Sequence, residues 1–157
     1  MRIIIDIAHP AHIHYFRNFA KTMEKRGHEY LMTLREKDII IKLADYYNLK
    51  YKIRSNSNKE SLSKLDYALT SIKNLYYISK EFNPDIFIDM GTIFSAPIAK
   101  FLGVPHIAFD DTEVAYKARL LFMPFNSFIL TPQCFRKNIG RKHIRFSGYM
   151  ELFYLHD

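Results

Sequence analysis

A single cysteine, Cys134, occurs in 157 residues. That excludes a disulfide framework and a thiolate metal cluster, and it casts Cys134 as a small core residue. Only five glycines are present, and none forms a nucleotide-binding fingerprint. Where a dinucleotide site would need G-x-G-x-x-G after the first strand, the chain reads Ile7-Ala8-His9-Pro10-Ala11-His12. An ordinary NAD or FAD enzyme is thereby excluded, as is a Walker-type loop, and no cofactor is expected. No stretch reaches the ~18 apolar residues that span a bilayer. The opening Met1–Asp6 is too short and too soon interrupted by an acid to be a signal peptide. Repeats and low-complexity tracts are absent. The expectation is a cytoplasmic protein, either free or peripheral to a membrane.

Acidic residues are missing altogether from residues 114–150, which carry Lys117, Arg119, Arg136, Lys137, Arg141, Lys142 and Arg145. The formal net charge of +7 therefore resides largely in that one segment. Such a segment attracts phosphate or anionic lipid, or else is a solvated basic face. Within it, Leu120-Leu121-Phe122-Met123-Pro124-Phe125 is either core or a peripheral membrane contact. Nucleic acid is not expected as a partner, since none of the common binding motifs is present.

The length suits one domain, and the 48% hydrophobic content a packed core. Short β-branched runs alternate with helical periodicity. Strands are expected at Arg2–Ile7, His28–Leu34, Tyr51–Arg54, Asp85–Asp89, His106–Phe109, Ser127–Leu130 and His143–Phe146. Between them, a helix opens at Pro10 and closes at Gly27, and another runs from a cap at Asp38 to Tyr47 with Ile39, Leu43 and Tyr46 or Tyr47 inward. A long helix runs from about Ser61 to Phe82 with Leu62, Leu65, Leu69, Ile72 and Leu75 or Tyr76 as its apolar stripe. Shorter ones cover Thr92–Leu102 and Glu113–Met123. The alternation predicts an α/β fold, a Rossmann-like parallel sheet flanked by helices. Ligands bind such sheets beyond the carboxyl ends of the strands. The loops at issue are Ala8–His12, Arg35–Lys37, Ser55–Lys59, Gly91–Ala96 and Asp110–Glu113.

Three of these loops carry chemistry. His9-Pro-Ala-His12-Ile-His14 stands at a helix N-terminus, where free backbone N–H groups suit an anion and imidazoles can bond phosphate or act as a general base. The alternative is ordinary capping and packing. No metal site is assigned, because His12 and His14, two apart on a helix, point to different sides and no cysteines complete a ligand set. Gly91-Thr92-Ile93-Phe94-Ser95-Ala96 offers a tight turn and two hydroxyls, for a sugar or phosphate or for N-capping. Asp110-Asp111-Thr112-Glu113 offers clustered carboxylates, for hydroxyl binding and general base work or for a capping box.

The run from Asp89 through Gly91, Ser95, Gly103-Val-Pro105 and Asp110 resembles the later half of the acceptor domain in GT-B glycosyltransferases. The lipid-linked N-acetylglucosaminyl transferase of peptidoglycan synthesis is the nearest comparison. The whole chain, through Asp6-Ile-Ala-His9-Pro-Ala-His12-Ile-His14, Gly27-His-Glu29, Arg35-Glu-Lys-Asp38, Asp111-Thr-Glu113, Thr131-Pro132 and Gly148-Tyr-Met-Glu, resembles a family of archaeal and bacterial GT-B-like proteins known as a domain of unknown function. Its fold is also similar to that of UDP-N-acetylglucosamine 2-epimerases. The resemblance implies a GT-B-type N-terminal, acceptor-side domain over residues 1–150, with an interdomain linker beginning at 151–157 and the second domain absent from this chain. It implies a nucleotide-sugar and a glycan acceptor as partners, in cell-envelope or lipid-linked glycan synthesis, and a donor-binding domain without which the protein is inactive, either on a partner chain of a split enzyme or lost from a truncated one. His9 or His12 would be the general base, Gly91, Thr92 and Ser95 would hold sugar or phosphate, and Asp110 and Asp111, with Thr112 and Glu113, would orient hydroxyls. An epimerase-like half and a non-catalytic docking domain are the alternatives.

Overall fold

The computed structural model of the chain describes residues 1–55, 63–114 and 116–155. In chain order the elements are β1 (Arg2–Ile7), α1 (Pro10–Lys25), β2 (Glu29–Arg35), α2 (Asp38–Tyr46), β3 (Tyr51–Ser55), α3 (Lys64–Phe82), β4 (Ile86–Asp89), α4 (Ser95–Leu102), β5 (His106–Phe109), α5 (Tyr116–Phe122), β6 (Phe128–Pro132), β7 (His143–Phe146) and α6 (Leu152–Leu155). The seven strands form one sheet in the order β3-β2-β1-β4-β5-β6-β7, and every pairing is parallel. This is the expected Rossmann-like sheet.

Chain direction across the sheet decides where a ligand can sit. From β1 the chain moves outward to β2 and β3, then returns to lay β4 on the other side of β1. The loops after β1 and β4 therefore diverge and leave a crevice between them. The centre of the sheet is buried on both faces, which is why β1 reads as an unbroken apolar run around one acid. Ile3, Ile5 and Ile7 pack against Ile13 and Phe16 of α1 and Ile40 of α2. Ile4 and Phe87 pack the other way, against Leu75 of α3 and Phe94 and Ile98 beside and within α4.

Several local expectations are corrected. On α3 the buried face carries Ser71, Leu75, Ile78 and Ser79, while Leu65, Leu69 and Ile72 are exposed. Small serines let the helix approach the sheet closely, and Ser79 Oγ returns its proton to the Leu75 carbonyl at 2.7 Å. The proposed start of that helix, with Leu62, and most of the Ser55–Lys59 loop lie outside the described residues. Around α2 the fully buried residues are Ile40 and Ala44, Leu43 and Tyr47 pack partly buried against the core as expected, and Ile39 and Tyr46 face solvent. Asp38 is the first residue of that helix and Lys37 its cap. The α4 helix begins at Ser95, three residues later than Thr92. Cys134 is exposed, not a core residue.

Candidate functional site

At the carboxyl ends of β1, β4 and β5 the polar side chains separate into a sealed cluster and an open cleft. The sealed cluster is built on Asp6 of β1 and Asp89 of β4, neighbours in register and both fully buried. Asp6 Oδ1 accepts from Thr33 Oγ at 2.8 Å and from Arg54 Nε at 2.6 Å. Thr92 Oγ stands 2.7 Å from Asp6 Oδ2 and 2.7 Å from Asp89 Oδ2. Its single proton can serve one of these carboxylates at a time. Ser95 Oγ donates to Asp89, and His106 Nε2 lies 3.0 Å from the same carboxylate. The Gly91 N–H donates to Asp89 Oδ1 at 2.8 Å.

Burial works to raise the Asp89 pKa, but the His106 imidazole and the hydrogen bonds from His106, Ser95 and Thr92 hold it below the usual carboxylate value. Burial likewise opposes the charge on Arg54, and Asp6, together with the Tyr67 hydroxyl, more than offsets it. Arg54 also lies over the Phe94 ring, 5.0 Å from its centroid. Five strands are thus tied together beneath the crevice, with Arg54 Nη1 and His106 Nδ1 left as buried polar atoms that no hydrogen bond engages among the described residues.

The open cleft lies directly beyond, with a volume of about 300 Å³. His9, His12, Gly91, Asp110, Asp111 and Thr112 line it together with Tyr15, Phe109 and Phe122. His9 caps α1, its Nδ1 accepting from the Ala11 N–H at 3.3 Å, and its ring lies 5.9 Å from that of His12. His12 Nδ1 accepts from the Ala8 N–H at 3.4 Å. Burial, against a counter-pull from Asp89, lowers the His12 pKa to about 4, so the ring is neutral at pH 7. With Nδ1 engaged as an acceptor, the neutral ring carries its proton on Nε2.

Asp110 is held from both sides: Oδ2 by Arg119 Nε at 2.7 Å and Oδ1 by the Thr112 N–H at 3.0 Å. Arg119 further donates to the Thr112 carbonyl at 2.7 Å, so the acidic loop is latched to α5. Asp111 is exposed, contacted by Thr112 Oγ at 2.9 Å. Gly91 adopts φ +62°, and a Cβ there would stand 2.9 Å from the Phe122 ring. Both the left-handed backbone and the close approach require glycine.

Of the residues singled out in the sequence, the cleft therefore gathers His9, His12, Gly91, Asp110, Asp111 and Thr112. Thr92 and Ser95 lie in the sealed cluster beneath it. Glu113 is turned away, its Oε1 accepting from the Arg136 N–H at 2.6 Å. His14 leaves the site to pack on Tyr47 and Tyr154, as its two-residue offset from His12 requires. No group of three or more His, Cys, Asp or Glu able to hold a metal occurs among the described residues.

Sequence reasoning missed Tyr15, although it follows His12 by three on α1 and so shares its face. Burial, with Asp111 next in effect, raises its pKa. It also missed Asp6, Arg54 and His106, whose partners are far apart in sequence. The basic excess of 114–150 is partly spent internally. Besides Arg119, Lys142 donates to the Asn126 carbonyl at 2.6 Å and Arg145 to the Lys137 carbonyl at 3.3 Å.

Comparison with known proteins places this geometry in context. The family described as "Protein of unknown function (DUF354)" matches residues 1–156. An uncharacterized protein of Methanocaldococcus jannaschii is 28% identical over 153 residues, covering 94% of this chain and 45% of its own. Among solved structures, MurG of Acinetobacter baumannii superposes with a TM-score of 0.77 at 13% identity, over 94% of this chain and 46% of its own. The UDP-GlcNAc 2-epimerase of Neisseria meningitidis, bound to UDP-GlcNAc, gives 0.69 at 12%, over 83% and 40%. The glycosyltransferase SsfS6 of Streptomyces sp. SF2575 gives 0.66 at 13%, over 92% and 53%. The chain spans about half the length, or less, of the proteins it matches, and at these identities the likeness establishes a shared GT-B-type fold.

Proposed function

Because the chain belongs to the DUF354 family and has the fold of one half of GT-B enzymes, we propose that it is the acceptor-side half of a sugar-nucleotide-dependent glycosyltransferase. The observation that carries this reading is the convergence of His9, His12, Gly91, Asp111 and Thr112 on one cleft at the switch point of the sheet. The donor domain is supplied by a second half, on the same or another polypeptide. A nucleotide-sugar and a hydroxyl-bearing glycan are the substrates, and the lipid-linked glycans of the cell envelope are the acceptors the resemblance favours. Leu120, Leu121 and Phe125 are exposed in the basic segment and fit a peripheral membrane contact that would bring such an acceptor within reach.

In this reading the groups do different work. His12, neutral and protonated on Nε2, donates to a phosphate or sugar oxygen and does not take up a proton. His9 is turned the same way by its cap to Ala11. Asp111 is the carboxylate left free to receive the proton of the attacking hydroxyl, steadied by Thr112. Asp110 positions the loop through Arg119.

A second reading, an epimerase-like half acting on the nucleotide-sugar alone, is favoured by UDP-GlcNAc-bound 2-epimerase structures that share the fold. Titration of the ¹⁵N-labelled chain with uridine diphosphate and with N-acetylglucosamine 1-phosphate tests the site. Amide shifts at Ala11, Gly91 and Thr112 are expected, and none with either probe would remove the reading. Turnover of UDP-GlcNAc without an acceptor, once a second half is supplied, would favour the epimerase.

A further inference from the structure

Ala11, His14 and Tyr15 stand at i, i+3 and i+4 on α1, so their side chains share one face of that helix. Against this face lies Tyr154 of α6, brought from the other end of the chain. The four residues, each half-buried, line a second pocket of about 320 Å³. Ala11 and Tyr15 also line the polar cleft, so the two hollows adjoin across them. Each alone stands at the lower edge of the roughly 300–1,000 Å³ that ligand sites occupy, and joined they lie well inside it.

The wall of this second pocket is aromatic and braced. His14 meets Tyr47 edge-on at 5.7 Å and Tyr154 at 6.5 Å, and Tyr154 meets Tyr15 at 5.7 Å. The Arg17 guanidinium lies 4.5 Å from the centroid of the Tyr47 ring, and its Nη2 donates to the Tyr154 carbonyl at 3.4 Å. One guanidinium therefore ties Tyr47 to the backbone of α6. A flat guest sandwiched between two rings needs about 7 Å, twice the ordinary carbon contact of about 3.5 Å. Tyr15 and Tyr154, inclined by 35°, stand too close for that. They form a platform, and a guest lies across it.

Such a guest must be apolar on one side and polar at its edge, because Tyr15, Tyr154 and His14 each join an apolar ring to a polar atom. A pyranose ring has that make-up, with C–H groups on its face and hydroxyls around its rim. A cationic guest is opposed by Arg17, whose charge already holds the Tyr47 ring. We infer that the platform of Tyr15, Tyr154 and His14 is a subsite for the sugar next to the reacting one. The acceptor is then a glycan of at least two rings. This inference rests on the glycosyltransferase reading above, which places the reacting sugar in the adjoining cleft.

Titration of the ¹⁵N-labelled chain with N-acetylglucosamine and with its β-linked disaccharide, N,N′-diacetylchitobiose, tests it. Both probes are expected to shift the amides of Gly91 and Thr112. Only the disaccharide should also shift those of His14 and Tyr154, and it should bind roughly tenfold more tightly, the worth of one good aromatic contact. Tyr154→Ala should remove that advantage and leave the affinity for the monosaccharide as it was. Tyr154→Phe, which keeps the ring, should retain it. Equal affinities, with shifts confined to the cleft, overturn the inference and leave the glycosyltransferase reading in place. So does a Tyr154→Ala chain that loses affinity for both probes alike, which would make the tyrosine a structural prop. Shifts of His14 and Tyr154 by uridine but not by the disaccharide would overturn it in favour of a nucleobase. No shift at Gly91 or Thr112 with any probe removes the reading itself, and the inference with it.

Discussion

Two sets of acids, hydroxyls and imidazoles stand at the same end of one sheet, and they differ in almost everything but composition. In the sealed set, Asp6, Asp89, Arg54, Thr92, Ser95 and His106 spend their hydrogen bonds on one another. In the open set, His9, His12, Asp111 and Thr112 are tethered on one side and face a cleft on the other. Residue type does not distinguish a structural cluster from a binding surface. Burial, and whether the polar atoms are turned toward one another or toward a cleft, do.

The sharpest way to break the comparison is to remove one partner of the sealed set. Asp6→Ala leaves Arg54 charged and unpaired in the interior, at a cost of about 3–5 kcal/mol, read as a lowered urea midpoint. A cost under about 1 kcal/mol would mean the cluster is wetter than its burial indicates. Next comes Gly91→Ala, which combines a left-handed backbone with a contact against Phe122 and should cost about 1–3 kcal/mol. The same change narrows the cleft, so binding of uridine diphosphate should weaken with it. Both effects are absent if the Phe122 ring simply swings aside and the turn relaxes.

Acid titration separates the two sets more finely. His12 has a folded pKa of about 4 against 6.5 for the free side chain. The unfolded chain therefore binds this proton first, and stability is lost as pH falls from about 6.5 toward 4, by roughly 1–3 kcal/mol. Asp89, with its pKa held down, adds a loss of the same sign at lower pH, where its unfolded carboxyl takes up a proton first. His12→Gln should reduce the loss between pH 6.5 and 5, leaving the share of His14 and His143, whose pKa values burial also lowers, together with the more acidic one. An unchanged stability profile would show that His12 is solvated. The smallest effect on folding belongs to the open set. Asp111→Asn should change stability by less than about 0.5 kcal/mol while reducing turnover of the complete enzyme at least a hundredfold. Equal turnover in the two proteins would take Asp111 out of the reaction.

Much of this was legible without coordinates. All seven strands and the helices between them follow from apolar periodicity and from turn and cap residues such as Pro10 and Gly27. The candidate loops follow from the alternation of strands and helices. Facing was less legible. Leu65, Leu69 and Ile72 have perfect helical spacing yet point to solvent, because two serines fit closer to the sheet than leucines would. Within the candidate site, His9, His12, Gly91 and Asp111 were readable from their positions after strands. The demotion of Thr92 and Ser95 was not, since it depends on Asp6, 86 residues away from Thr92 in the chain.

The sequence by itself determined a parallel α/β sheet, the loops that crown it, the absence of a cofactor fingerprint and the separation of His14 from His12. Each of these rests on local periodicity, turn chemistry or helical spacing, which neighbouring residues set. Tertiary structure alone decided which polar groups are sealed and which are open, that Arg119 claims Asp110, and that Tyr154 meets His14 and Tyr15 beside the cleft. Those outcomes depend on which distant segments become neighbours, and burial and long-range hydrogen bonds exist only once the sheet has been assembled.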